Sequence, residues 1–463
     1  MKMQPNIILV IISNSSKIKV KNKILINQSI NGFKKKTITV DGDKSLSIRF
    51  ILLSSLSTGK CIATNLLKSE DVISAINNIK KLGIQVRLKD KSCEVIGKGL
   101  NGYKFSNNLI LNAGNSGTTA RLICSVLINS TKWIKITGDK SLKKRDMQRI
   151  IEPLKLFGVK FKNNNKTLPI SLMGTKFLKP IKFTEKLGSA QCKSAVMIAA
   201  LKTKGKTKLK CLPSRNHTEL MFKNVLKIPI NISKKKNYET IEIDGLKKFK
   251  PFNYNIPGDI SSASFFIVLT LLTKKSSLKI KNVNINPTRI GIINVLNMMG
   301  SKIKFFNKRY YKGEKISDIY VKANKNLKGI NLNPKFNSTA IDEFLLIFLI
   351  ASICKGVSTF KNLGELNKKE SKRLDWGIKI LRMMNIKVKK INNNGLKIWG
   401  QPNLKLKKNF VIKGYLKDHR IFMMSTIAAL SLGGNWIIHN SDSFKTSFPR
   451  FLKILKLLGA KIK

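Results

Sequence analysis

One local design recurs six times along this chain of 463 residues, and that recurrence restricts the fold more than any other property. The clearest copy lies at residues 109–128. The apolar segment LIL passes through NAGNSGTTAR into LICSVLI, which reads as strand, glycine-rich turn and helix. Gly114 and Gly117 carry no Cβ, so the backbone can approach a ligand closely. The Ser and Thr hydroxyls can cap the helix, the free N–H groups at its start favour an anion, and Arg121 adds a charge one turn in. Similar turns feed apolar helices at Gly42 (GDKSLSIR), Gly188 (GSAQCKS), Gly258 (GDISSA), Ile341 (IDEF) and Asp418 (DHRI), in steps of 72, 74, 70, 83 and 77 residues. A second marker keeps the same beat. Helices end at LG, FG, MG, MN and LG (82–83, 157–158, 299–300, 384–385 and 458–459), and an alternating strand follows each. Gly or Asn suits the left-handed residue that ends a helix. At 226–229 (LKIP) the proline is expected to act as the stop instead. The two markers in phase predict six stacked units of about 75 residues, each with strands and two helices. A break near 252–257 divides them into three and three.

The charge is extreme, with 89 Lys+Arg against 24 Asp+Glu for a net +65. Such a balance first suggests a nucleic-acid binder. However, the lysines are spread over almost every segment, and no aromatic residues alternate with them as stacking platforms. Lys, Asn and Ile all have AT-rich codons, so compositional bias explains the excess more simply. No specific nucleic-acid partner is expected. The six cysteines are dispersed with no CxxC pair, which predicts buried free thiols in a reducing compartment. Three histidines offer no zinc cluster, and neither metal nor cofactor is expected. The strand-like run at residues 7–12 is too short to span a membrane. The expectation is a soluble cytoplasmic protein without a membrane partner.

The helix starts bring together Lys44, Ser45, Arg49, Asn115, Gly117, Thr118, Arg121, Ser189, Gln191, Lys193, Asp342, Glu343, Asp418 and Arg420. Two loop clusters join them, KKRDMQR (143–149) and KESKR (369–373). Taken singly, each residue reads as a solvated charge or a helix cap. At equivalent points of repeated units, they describe a pocket for molecules with more than one anionic group, since Arg binds carboxylate and phosphate bidentately. Asp342 is open to two readings, helix N-cap or proton-transfer group. Glu370 is likewise an i,i+3 partner of Arg373 or an acid/base group. His217 and His419 divide between structural hydrogen bonding and proton transfer.

These stretches resemble the 5-enolpyruvylshikimate-3-phosphate synthase family. GDKSLSIR (42–49), GNSGTTAR (114–121), RDMQRIIEPL (145–154), SAQCKSA (189–195), SRNHTE (214–219), PGDISSASFF (257–266), NPTRIG (286–291), IDEF (341–344), KESKR (369–373), DHRIFM (418–423) and SFPRF (447–451) occur in the family's order. The resemblance implies an α/β fold, a two-domain inverse α/β barrel (prism) of six βαβαββ repeats. It places residues 44–256 in one domain and 1–43 plus 257–463 in the other, with the site in the cleft between them. It implies that phosphoenolpyruvate and shikimate 3-phosphate give the enolpyruvyl ether and phosphate. Lys44, Ser45, Arg49, Ser189, Ala190, Gln191, Arg215, Asp342 and Lys369 would hold shikimate 3-phosphate. Lys44, Asn115, Gly117, Arg145, Gln191, Arg373 and Arg420 would hold phosphoenolpyruvate. Asp342, Glu370 and Lys44 would be catalytic, and Arg121 would only brace its helix. Glyphosate is expected to compete with phosphoenolpyruvate, and the enzyme is expected to be a monomer.

Some positions depart from the family pattern. Asp146 stands in place of Pro, Asn216 and Lys372 in place of Asp, and Ala190 in place of a second Ser. Thr446 stands where one subgroup of the family has a lysine ligand, with Lys445 beside it, which leaves the substrate ligand there open. The sister enolpyruvyl transferase acting on UDP-N-acetylglucosamine uses a loop cysteine, and residues 143–149 contain none. A polyanion-binding protein that has lost catalysis is disfavoured by the intact Asp342 and Glu370.

Overall fold

The computed structural model describes residues 22–90, 92–162 and 165–463; the strand-like run at 7–12 lies outside them. The six expected helix starts each open an inner helix. These are α1 (Lys44–Ser55), α2 (Gly117–Val126), α3 (Ala190–Ala200), α4 (Ile260–Leu272), α5 (Phe344–Ala351) and α6 (His419–Leu432). Their sequences are apolar on nearly all sides, and α4 and α5 are buried almost around their circumference, as helices without a polar face must be. A second, half-buried helix follows in each unit. Glu70–Lys81 shows why: Val72, Ala75, Ile76 and Ile79 recur at helical spacing and are buried, while the remaining faces carry charge.

Each unit builds one small sheet. In the second, Leu109–Asn112 pairs parallel with Ile134–Thr137, which pairs antiparallel with Ile170–Met173, and that strand with Lys160–Phe161. With the two helices, this is strand, helix, strand, helix, strand, strand. Four sheets have four strands and two have three. In the fifth unit the first strand is reduced to isolated bridges, Lys328 with Lys355 and Asn331 with Thr359. The sixth borrows its last strand from the start of the described chain, since Lys23–Ile26 pairs with Gly433–His439.

Buried apolar side chains form two clusters. One runs from Leu46 to Ile256. The other gathers residues 24–40 with 260–460. At both crossings the chain exchanges a strand. Lys36–Thr39 leads into α1 of the first cluster but pairs with Ser277–Asn284 of the second. Asn253–Asn255 leads into α4 of the second but pairs with Thr58–Thr64 of the first. The crossings run antiparallel, with Asp43 N–H donating to Pro257 O (2.8 Å) and Asp259 N–H to Asp41 O (3.0 Å). Glycine is needed at both: a Cβ on Gly42 would stand 2.0 Å from Asn65 O, and one on Gly258 2.9 Å from Val40 Cγ2.

The helix-end marker holds at φ values of 84°, 104°, 99°, 62° and 99° for Gly83, Gly158, Gly300, Asn385 and Gly459. In the remaining unit Lys227 itself takes φ 56°. Pro229 therefore follows a left-handed lysine rather than replacing the left-handed residue. All six cysteines are buried and free. Among the described residues no helix is long and apolar enough to cross a membrane.

Candidate active site

Five of the six inner helices are capped by side chains at their starts. Asp43, Ser116, Ser189, Asp259 and Asp418 each accept a backbone N–H from the first turn. The fifth differs: Glu343 precedes α5 without a capping bond. Asp342, one residue earlier, does not cap either; its carboxylate faces cations. Arg215 Nη2 lies 2.5 Å from its Oδ2, Lys369 Nζ 3.5 Å and Arg373 Nη1 3.6 Å from its Oδ1, and Arg420 Nη2 3.9 Å from its Oδ2. Burial disfavours ionisation of Asp342. Arg215 first, then Lys369, Arg420 and Arg373, outweigh it and hold the carboxyl well below the usual carboxylate range.

Glu370 is held in the same way. Arg145 Nη1 stands 3.4 Å from its Oε1, and Arg373 bonds its Oε2. Despite burial, Arg145 and Arg373 keep its carboxyl far below the ordinary value. Glu370 is thus the i,i+3 partner of Arg373, and it faces the cleft. Arg373 is itself fixed by Asp418, through Nε to Oδ2 (2.9 Å) and Nη2 to Oδ1 (3.2 Å).

The two clusters meet across this cleft. Arg215 and Arg145 come from the first, Asp342 and Glu370 from the second. Ser141 Oγ donates to Glu370 O (3.0 Å), and Arg149 pairs with Glu365 at 3.3 Å. On the first face, Lys44 Nζ bonds Asp71 Oδ2 at 2.8 Å. Asn115 accepts from Arg145 (3.0 Å) and donates to Asp139 (2.6 Å). Gln191 accepts from Arg121 (2.5 Å) and donates to Thr118 (2.9 Å). Gly117 lies beside the guanidinium groups, and a Cβ there would stand 3.0 Å from Arg145 Nη1 and 3.2 Å from Arg121 Nη1.

Several buried polar atoms at this cleft have no hydrogen-bond partner among the described residues: Arg121 Nε, Arg145 Nε, Ser214 Oγ, His419 Nε2 and Arg420 Nη1. Buried donors are rarely left unpaired. Most of these are cationic donors, so the chemistry they can satisfy is that of an anion with several oxygens. The surroundings of His419 disfavour a further positive charge there. Burial first, then Lys44, pushes its imidazole well below its ordinary range.

The family model of EPSP synthase (3-phosphoshikimate 1-carboxyvinyltransferase) matches residues 31–455. The chain belongs to the EPSP synthase family. That family transfers an enolpyruvyl group from phosphoenolpyruvate to shikimate 3-phosphate in the shikimate pathway. The 3-phosphoshikimate 1-carboxyvinyltransferase of Petrotoga mobilis is 38% identical over 424 residues, covering 90% of this chain and 96% of that protein. That of Ruthia magnifica is 37% identical, covering 92% and 95%. An EPSP synthase structure from Acinetobacter baumannii superposes with a TM-score of 0.83 at 32% identity, covering 96% of this chain and 99% of that one. The enolpyruvyl transferase NikO from Streptomyces tendae shares the fold, with a TM-score of 0.76 at 12% identity over 96% of this chain and 98% of that one.

The positions named from the EPSP synthase motifs do not all face the cleft equally. Ser189 caps α3, and Ala190 opens it with a free N–H. Ser45 sits in the first turn of α1, half-buried. Arg49 turns inward: it is 3% exposed and bonds Thr218, Ser194 and Ser45 O, and burial pushes it down to about 10. Lys193 also leaves the pocket and pairs with Glu219 at 2.5 Å. His217 is buried against Glu314. Thr446 bonds its own turn and Lys445 is exposed. Arg121 does more than brace a helix, because it orients Gln191 and holds Asp146 O (2.8 Å). Two partners escaped the sequence reading, Asp71 on Lys44 and Asp139 on Asn115. One reads as an ordinary helix start and the other as a turn residue, so no local signal marked them.

Proposed function

We propose that Asp342, Glu370 and Lys44 carry the chemistry of this transfer, and that the surrounding cations bind its two anionic substrates. Lys44, Ser45, Ser189, Ala190, Gln191, Arg215 and Lys369 face shikimate 3-phosphate, with Arg49 behind Ser45 and Ser194. Lys44, Asn115, Gly117, Arg145, Gln191, Arg373 and Arg420 surround phosphoenolpyruvate. The observation that carries this reading is the pairing of Asp342 and Glu370 with arginines from the opposite face of the cleft.

As long as Arg215 and Arg145 hold these carboxylates, both are weak bases. A substrate phosphate or carboxylate competes for the same guanidinium groups. Drawing Arg215 and Arg145 away raises the basicity of Asp342 and Glu370 as the reactants arrive. Asp342 then takes the proton of the attacking 5-hydroxyl, whose oxygen bonds to C2 of phosphoenolpyruvate. The methylene carbon gains a proton, helped by Glu370. The tetrahedral adduct next loses a proton from that carbon and phosphate from C2. Lys44 and the arginines stabilise the charge that develops. Asp342 meets Nη1 of Arg373 and Glu370 meets Nη2, which supports separate proton-transfer roles at the oxygen and the carbon.

The domains divide as residues 44–256 and 1–43 plus 257–463; among the described residues, the two apolar clusters, Leu46 to Ile256 and 24–40 with 260–460, support this division, and closure of one domain on the other excludes water. Each chain carries both faces of the cleft, which supports a monomer, and six buried free cysteines suit the reducing cytoplasm. Glyphosate, an anionic small molecule, competes for the space beside Gly117. The test is phosphate release from phosphoenolpyruvate by the purified protein. Release is expected only with shikimate 3-phosphate present; folded protein that releases none refutes the reading.

A further inference from the structure

Arg289, in the NPTRIG stretch, has no role in the scheme above, yet it bonds to both domains. It is 3% exposed. Its Nη1 donates to Asp43 Oδ2 (3.1 Å) and to His217 Nε2 (3.3 Å). Its Nη2 donates to Ser261 Oγ (2.9 Å) and Asp259 Oδ1 (3.3 Å). Asp43 and Asp259 are the caps of α1 and α4 at the two chain crossings. Because His217 Nε2 accepts, its ring proton sits on Nδ1, which donates to Glu314 Oε1 at 2.7 Å. Glu314 Oε2 in turn accepts from Asn286 Nδ2 (2.9 Å), which also donates to Asn216 Oδ1 (2.8 Å).

We propose that Arg289 is the positioning residue that sets the cleft cations in place for both substrates. This rests on the reading of the cleft given above. Three branches leave its guanidinium. Through Asp43 and Asp259 it fixes Lys44, whose backbone N–H donates to Asp259 Oδ2 (3.1 Å). Through His217 it holds the turn that presents Arg215. Through Ser261, whose Oγ donates to Glu343 Oε1 (2.5 Å), it places the carboxyl that stands 3.5 Å from Arg420 Nη1. One planar fork meets four acceptors here. A lysine ammonium donates from a single point and cannot span them.

A residue that merely bolts the two domains together would change stability and leave the substrate constants alone. A positioning residue separates them. The test is steady-state phosphate release by the full-length enzyme and its variants, varying each substrate, with thermal unfolding in parallel. Ser261→Ala cuts only the branch to Arg420. It is expected to raise the KM for phosphoenolpyruvate about tenfold while the KM for shikimate 3-phosphate stays within about twofold. Arg289→Lys, which loosens all three branches, is expected to lower kcat about 100-fold and raise both KM values. An unmoved KM for phosphoenolpyruvate in Ser261→Ala, or wild-type kcat in folded Arg289→Lys, overturns the proposal. If Arg289→Lys does not fold, Ser261→Ala decides alone. Failure of the wild type to turn over would count against the reading of the cleft; normal wild-type turnover with unmoved variants counts only against the role of Arg289.

Discussion

Replacing Asp342 by Asn tests both the electrostatics and the chemistry of the cleft. The amide keeps the shape of the side chain and removes its charge. Four cations then face one another: Arg215, formerly at 2.5 Å, Lys369 at 3.5 Å, Arg373 at 3.6 Å and Arg420 at 3.9 Å. Removing one partner of a buried ion pair costs about 3–5 kcal/mol. The Asp342 side chain is 14% exposed, which places the cost near the lower end, about 3 kcal/mol. At about 2 °C per kcal/mol for a chain of this size, the melting temperature falls by about 6 °C. Loss of the base lowers kcat by about 10²–10⁴. The KM for phosphoenolpyruvate, by contrast, holds or falls, because the uncompensated cations now attract anions more strongly. Inorganic phosphate accordingly raises the melting temperature of the variant more than that of the wild type. Stopped-time phosphate assays with both substrates, and melting curves with and without phosphate, measure all four effects. A folded variant with kcat within tenfold of wild type refutes the base assignment. A variant no less stable than wild type, and indifferent to phosphate, refutes the electrostatics.

Two further outcomes follow from single side chains. Gly117→Ala places a methyl group 3.0 Å from Arg145 Nη1, so glyphosate competition against phosphoenolpyruvate weakens; equal inhibition constants for both forms count against the assignment of that space. Burial pushes the Lys202 ammonium down from its ordinary 10.5 to about 7. Between those values the unfolded chain holds a proton that the folded chain has released, so stability rises with pH from about 7 upward. In Lys202→Met that rise flattens, as urea unfolding at pH 7 and 9.5 would show.

The repeat was legible because its signals are local and physical. Capping side chains and left-handed residues must recur wherever the same turn recurs. Sequence spacing also marked the break near 252–257, whereas the crossing near Lys44 was legible only through the family resemblance. What escaped was set by contacts across the molecule. Lys227 adopts a left-handed backbone that no glycine advertises. Asp71 and Asp139 reach the site only because folding carries ordinary surface-type residues beside Lys44 and Asn115. The fifth helix start is instructive for the opposite reason. This turn breaks the capping rule that the other five obey: Glu343, at the cap position, accepts from Ser261 instead, and the carboxylate of Asp342 before it is committed to four cations. A departure from local preference of this kind is where function is expected to override it.

The exchanged strands also set a timetable for synthesis. Lys36–Thr39 leaves the ribosome early, but its parallel partner Ser277–Asn284 follows roughly 240 residues later, about 10–50 s at ordinary elongation rates. Leu25 waits longer still, since its backbone bonds are to Lys463. Through most of translation the nascent chain therefore presents unpaired strand edges of the kind that invite aggregation. Its second half can close only once Lys463 has been added.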